Sequence, residues 1–281
     1  MSHTLILSYV TFIYFTAFVF YLFRMILQKE FWGIAASVVA WAGIAAQTLA
    51  MILRWKDSYN LGFGHVPITN LYESLIFFAW SIMLLYLTIE WRIKNRMLGA
   101  FVVPVAFLIM AYASIAPGVN NSIEPLIPAL QSNWLTAHVL TCFMGYAAFT
   151  VAFGCGMLYL WKSRKDEQDQ PVPSGWEDNI PSLDILDALI YQSTTLGFVF
   201  LAMGIVTGSV WAHYAWGSYW SWDPKEIWSL ITWLIYAIML HARFVRGWRG
   251  KRMAVLSIIG FASVLFTYLG VNFLTSLHSY I

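Results

Sequence analysis

Six histidines and one tryptophan-rich stretch carry the chemistry this sequence offers. The stretch is Trp211-Ala-His-Tyr-Ala-Trp216-Gly-Ser-Tyr-Trp220-Ser-Trp222-Asp223-Pro-Lys-Glu226, with four tryptophans, two tyrosines and a histidine in sixteen residues. It lies between two long apolar runs, so it is expected at a membrane surface, where amphipathic rings suit the headgroup layer. An interfacial belt accounts for the number of aromatics but not for the order W-G-x-x-W-x-W-D-x-x-E. Asp223, Pro224 and Glu226 also read as an N-cap, a proline at N1 and an acid at N3. Asp223 therefore has two explanations, starting a helix and contacting a ligand, while Glu226 reads as structural.

The histidines are His3, His65, His138, His213, His241 and His278. No carboxylate is spaced for a metalloprotease and no Gly-rich phosphate loop is present, so the set fits a metal or haem better than a catalytic triad. The two cysteines, Cys142 and Cys155, share one apolar run and are not spaced C-x-x-C. They read as reduced core residues. The chain also lacks C-x-x-C-H, which excludes a c-type cytochrome.

The elements that position these groups follow from composition. The chain of 281 residues is 60% hydrophobic and 11% charged, against roughly a quarter charged in soluble domains. Eight apolar runs approach or exceed the ~20 residues that cross a bilayer. They lie near Leu5–Leu27, Trp32–Leu53, Leu71–Ile89, Met97–Ile115, Trp134–Trp161, Leu186–Trp211, Ile227–Phe244 and Met253–Leu274. The first has no basic flank before it and no small-residue cleavage site after it, which makes it an anchor rather than a signal. Thirteen lysines and arginines fall in one set of connections and three in the other. The first set is therefore expected in the cytoplasm, with both termini and the Trp-rich segment outside. The expected fold is an all-α polytopic membrane protein of about eight helices. It forms a single integral-membrane domain over residues 1–281, with an external segment at 212–226 and a cytoplasmic loop at 162–183. That loop reads as a solvated linker followed by a short helix near Leu183–Ala188. Asn70 with Glu73 reads as a capping box that opens the third span. No basic run suggests a nucleic-acid partner.

This topology sorts the histidines. His138 lies one turn into the fifth span from its outer end, and His278 follows the eighth span, also outside. His241 lies about 14 residues into the seventh span, roughly 21 Å at 1.5 Å per residue. An imidazole at that depth is costly without a partner and is a functional candidate by default.

Trp216-Gly-Ser-Tyr-Trp220-Ser-Trp222-Asp223-Pro-Lys-Glu226, followed by Trp233, Tyr236 and His241, resembles the tryptophan-rich WWD domain of the haem-handling proteins of cytochrome c maturation. Gly64-His65-Val-Pro67-Ile-Thr-Asn70-Leu-Tyr72-Glu73 and the eight spans resemble its system II branch, the CcsA (ResC-like) proteins. The resemblance implies a membrane subunit of a cytochrome c synthase of the haem lyase type. Such a subunit moves haem b outward and presents it to apocytochrome c for thioether attachment. It implies His138 and His278 as external axial ligands of the haem iron, His241 as an intramembrane ligand, and Trp216, Trp220, Trp222 and Asp223 as haem contacts. It further implies a CcsB (ResB-like) membrane partner, which supplies the mate of His241, and a thioredoxin-like reductant of the apocytochrome thiols. His65 and His213 match no ligand role. A bacterial plasma membrane is expected ahead of a thylakoid membrane. The rival readings are haem delivery with the joining site on the partner, a quinol-linked b-type cytochrome, and an assembly scaffold with an aromatic belt.

Overall fold

The computed structural model describes residues 2–167 and 180–274. Among them are eight α-helices: α1 His3–Leu27, α2 Glu30–Asn60, α3 Leu71–Ile93, α4 Gly99–Ile115, α5 Asn133–Glu167, α6 Leu183–Trp216, α7 Pro224–Arg246 and α8 Lys251–Tyr268. Two short 3-10 turns, Pro128–Leu130 and Gly270–Phe273, complete the described elements. The protein is an all-α polytopic membrane protein, and seven of its helices are long and apolar enough to cross a bilayer. The exception is α4, whose 17 residues span about 25 Å.

The helices follow the expected spans but overrun several of them. α2 continues to Asn60 and α5 to Glu167, so the first residues of the 162–183 connection are helical. Much of the remainder of that connection lies outside the described residues. The expected short helix near Leu183–Ala188 is the first turn and a half of α6, with Ser182 as its N-cap. α6 runs on to Trp216, so the Trp-rich stretch begins as helix and becomes a loop only after that residue.

Helix α5 is the hub. It packs most extensively on α6 and also on α8, α3 and α4, while α1 pairs with α2 and α4, and α7 with α8 and α6. Burial follows helical spacing. In α1 the stripe Leu7, Val10, Tyr14, Ala17 and Tyr21 is enclosed, while Phe12 and Ile26 face outward. Both faces are apolar because lipid and protein core are equally dry.

Each end of the bundle is tied by buried polar groups. At the end where α2 meets α3, Arg54 and Glu73 form an ion pair at 2.8 Å with side-chain exposures of 2% and 1%. Arg54 also donates to the carbonyls of Asn121 (2.8 Å) and Ser122 (3.0 Å), which fastens the α4–α5 connection over the helix ends. Asn70 accepts from the Glu73 amide at 2.8 Å. The Glu73 carboxylate turns instead to the Thr69 amide and hydroxyl, both at 2.9 Å. Half of the expected capping box therefore forms, because Arg54 and Thr69 claim the acid. At the opposite end Glu90 is enclosed by hydroxyls of Tyr21, Tyr86 and Ser37. There Arg243 forms a two-point pair with Asp187 at 3.0 and 2.8 Å, which clamps α7 to the start of α6.

Candidate functional site

His138 sits on α5 with its Nδ1 2.7 Å from the Gly204 carbonyl of α6. A neutral imidazole donates from one nitrogen and holds its lone pair on the other. Donation from Nδ1 to that carbonyl therefore places the lone pair on Nε2, the arrangement found where a histidine ligates a metal. Trp211 lies nearly parallel to the ring, 6.2 Å between centroids and 16° between planes. The fit depends on two glycines one turn apart on α6. A Cβ at Gly208 would come 2.5 Å from His138 Nδ1, and one at Gly204 would come 2.5 Å from Cys142 Sγ. Small residues at a helix–helix contact allow such an approach; here the imidazole fills the space at Gly208 and Cys142 Sγ the space at Gly204.

His138 forms part of the wall of a cavity of about 240 Å³ that also takes in Trp211, Trp216, Tyr219, Trp220 and Tyr268. Its floor comes from α5 and α6, and its cover from the Trp-rich stretch. Trp211 is held by donation from Nε1 to the Ala129 carbonyl at 2.8 Å and meets Trp216 edge-on at 5.3 Å. Gly217, at φ +81°, ends α6 with its amide on the His213 carbonyl, a left-handed cap that favours glycine. The chain then folds back because the Glu226 carboxylate gathers the amides of Ser221 (2.8 Å) and Asp223 (3.2 Å). Asp223 caps α7 as half of a full capping box. Asp223 and Glu226 thus shape the loop that carries Trp220, while Trp216 is held as the last residue of α6.

The structure brings together His138, Trp216 and Trp220 of the residues singled out in the sequence. Trp222 is outside the cavity wall: it is 69% exposed, has φ +59° and stands edge-on to Trp220 at 5.9 Å. Asp223 is buried as a cap and is not part of the wall. His278 lies outside the described residues. His241 is remote from the cavity. It is exposed on the outer face of α7, in a stripe with Leu234, Ile238 and Val245 at spacings of four, three and four. His65 bridges two connections, with Nδ1 3.2 Å from the Val66 carbonyl and Nε2 3.0 Å from that of Glu124. His213 stacks on Tyr219 at 4.3 Å.

Sequence reasoning missed Lys225, which contributes to the cavity wall and whose Nζ lies 3.5 Å from Asn272 Oδ1. A signal was present. Lys225 is the second residue of α7, after the Asp223 cap and Pro224, where the helix dipole disfavours a cation. The neighbouring Asp223 carboxylate interacts with its charge. Cys142 was likewise read as simple core, yet it lines the cavity beside His138, with Sγ 3.6 Å from Nδ1. An aromatic slot with an imidazole, an amino group and the Glu226 carboxylate in its wall can take a flat, apolar, metal-bearing ligand.

Fold and cavity together define a polytopic helical membrane protein whose Trp-rich segment contributes to an aromatic, histidine-bearing pocket. The family described as "Cytochrome C assembly protein" matches residues 68–278, and the chain belongs to that family. A "Cytochrome c biogenesis protein CcsA" of Prochlorococcus marinus (strain NATL2A) is 39% identical, with 95% of this chain and 92% of the relative covered. The protein of that name from Trieres chinensis is 41% identical, covering 77% and 78%. The one from Chlamydomonas reinhardtii is 43% identical, covering 83% of this chain and 64% of the relative. Among solved structures, "Cytochrome c Heme Lyase CcmF" superposes with a TM-score of 0.68 at 17% identity, covering 97% of this chain and 46% of that protein. At that identity the likeness concerns the fold, and this chain spans under half of that protein's length.

Proposed function

We propose that this chain is the membrane subunit of a cytochrome c synthase. It moves haem outward across the membrane and presents it at the WWD cavity for attachment to the C-x-x-C-H segment of apocytochrome c. The observation that carries the reading is His138: Nδ1 is tied to the Gly204 carbonyl inside a cavity walled by tryptophans of the WWD segment. Haem b is the substrate. His138 and His278 serve as its axial ligands, Trp216 and Trp220 pack on the ring, and Trp222 and Asp223 belong to the same segment. Lys225 is the cation in the wall that pairs with a propionate. The low number of charged groups at the pocket keeps water from the iron and favours a retained, reduced haem.

The joining step needs no oxidant. Each cysteine S–H adds across one vinyl C=C, with sulfur bonding to the carbon next to the ring and hydrogen going to the terminal carbon. The chain's contribution is to hold the vinyl groups where thiols arrive, and proximity supplies much of the acceleration. A thioredoxin-like reductant keeps those thiols reduced beforehand.

His241 is the intramembrane ligand, and its mate comes from a CcsB-like partner. Its place on the outer, apolar face of α7 supports that reading, because an imidazole facing hydrocarbon is costly alone. The excess of basic residues at the opposite end supports an external WWD cavity, in a bacterial plasma membrane.

The test is co-expression with a CcsB-like partner and a reporter apocytochrome in a host that lacks its own maturation pathway. Haem covalently bound to the reporter, dependent on both membrane chains, is expected. Reporter maturation by the partner alone would reduce this chain to haem delivery.

A further inference from the structure

A second cavity adjoins the first. It measures about 520 Å³ and shares Ile68, Thr69, Leu130 and Leu135 with the WWD cavity. We propose that this second cavity is the docking groove for the apocytochrome backbone, an extended polypeptide segment whose thiols cross the shared wall toward the haem. The inference rests on the haem reading of the first cavity and adds the site of the second substrate.

The two cavities differ in chemistry. The first is lined by aromatic rings with Lys225 and Glu226, whereas the second has no Asp, Glu, Lys or Arg in its described wall. It offers nothing to pair with a propionate. Its rims are backbone and neutral polar side chains. On one side is the turn after α2, where the amides of Gly62, Phe63, Gly64 and His65 point inward to Tyr59 and Ser58. The carbonyls of Gly62, Phe63 and Gly64 accept no hydrogen bond among the described residues. Gly62 (φ +83°) presents open space where a side chain would be. This rim offers backbone acceptors at Gly62, while the Tyr59 ring lies against Gly64 at 3.4 Å from where its Cβ would be. On the facing side Asn133 and Thr136 supply amide and hydroxyl groups, while the Gln131 amide donates to the Leu126 carbonyl at 2.8 Å. Acceptors on one rim and mixed amide groups on the other match an extended chain, whose N–H and C=O groups point alternately to either side. His65 fixes the spacing of the groove, because its ring lies between the Val66 and Glu124 carbonyls and joins the two connections. Continuity with the first cavity selects the occupant: a chain lying here has side chains facing the shared wall, where a vinyl edge would be met.

The experiment uses the full chain purified with its CcsB-like partner. The probe is a reduced synthetic peptide carrying C-x-x-C-H, with p-benzoylphenylalanine at one x. Irradiation is expected to label residues 59–66 and 125–136. Thr136→Trp, which fills the groove beyond the shared wall, is expected to lower both labelling and reporter maturation at least tenfold while haem absorbance per protein stays unchanged. Labelling elsewhere, or wild-type maturation by Thr136→Trp, would overturn the groove. Loss of the haem band in Thr136→Trp together with labelling outside the two segments would also overturn it and assign the second cavity to haem. Absence of haem from the wild type would instead fail the reading of the first cavity, and the labelling map would still decide the groove.

Discussion

His138 and His241 occupy opposite kinds of place. His138 is set between α5 and α6, its tautomer fixed by the Gly204 carbonyl and its ring faced by Trp211. His241 stands on the outer face of α7 among Leu234, Ile238 and Val245, on a helix whose enclosed face is Thr232, Tyr236 and Met239. The first is organised by this chain; under the proposed function the second would be completed by a partner. A ligand held at His138 draws on contacts that already exist, whereas one at His241 must bring a second chain. If the proposed function holds, haem would pass from a partner-dependent position within the membrane to a preorganised one at the Trp-rich end.

Four substitutions would break or sharpen that contrast. The largest effect is expected for His241→Ala in the complex. It should abolish the haem held jointly with the partner and leave the WWD-site haem intact, read by difference spectra. Because His241 is exposed, stability should move by no more than about 0.5 kcal/mol; a larger loss, measured by thermal unfolding, would mean that it is a packing residue. Gly208→Ala drives a methyl toward His138 Nδ1. Overpacking of this kind costs about 1–3 kcal/mol, so haem titration should show affinity at the WWD site roughly 5- to 150-fold weaker. Unchanged affinity would show that the imidazole is not held where the haem needs it. Lys225→Met should weaken binding of haem about tenfold, as expected for loss of a charge-assisted contact of about 1.5 kcal/mol. The dimethyl ester of haem should bind the two proteins equally, and equal losses for both ligands would remove the propionate role. The smallest effect belongs to Asp223→Ala. Loss of the α7 cap should cost about 1 kcal/mol in unfolding without the spectral change that loss of a direct haem contact would bring.

The sequence made the helices legible because each span is a long apolar run, and it made the WWD segment legible because its order exceeds what an interfacial belt requires. It could not show which face of a span is core. In α1, Tyr14 is enclosed and Phe12 faces outward, yet both are aromatic, since lipid and protein interior select the same residues. Periodicity therefore could not show that Gly208 makes room for His138 and Gly204 for Cys142. Trp222 illustrates a second limit. It shares a motif with Trp216 and Trp220, but the left-handed turn at its own position sends it to the surface. Asp223 illustrates a third, since its burial serves the capping box that shapes the loop. Lys225 was legible only as a violation of the dipole rule. The cavity next to His65 was not legible, because its walls come from two connections far apart in sequence, around 59–69 and 125–136.

The central claim is that His138 holds haem at the WWD cavity. The most direct measurement is the visible spectrum of the chain purified with its partner, wild type beside His138→Ala and His278→Ala. The account predicts a reduced bis-histidine haem spectrum in the wild type, weakened in each variant. Added imidazole should restore both the band and reporter maturation in His138→Ala, because it refills the space under the Gly204 carbonyl. Haem retained unchanged in His138→Ala would contradict the claim and move the ligand to another side chain.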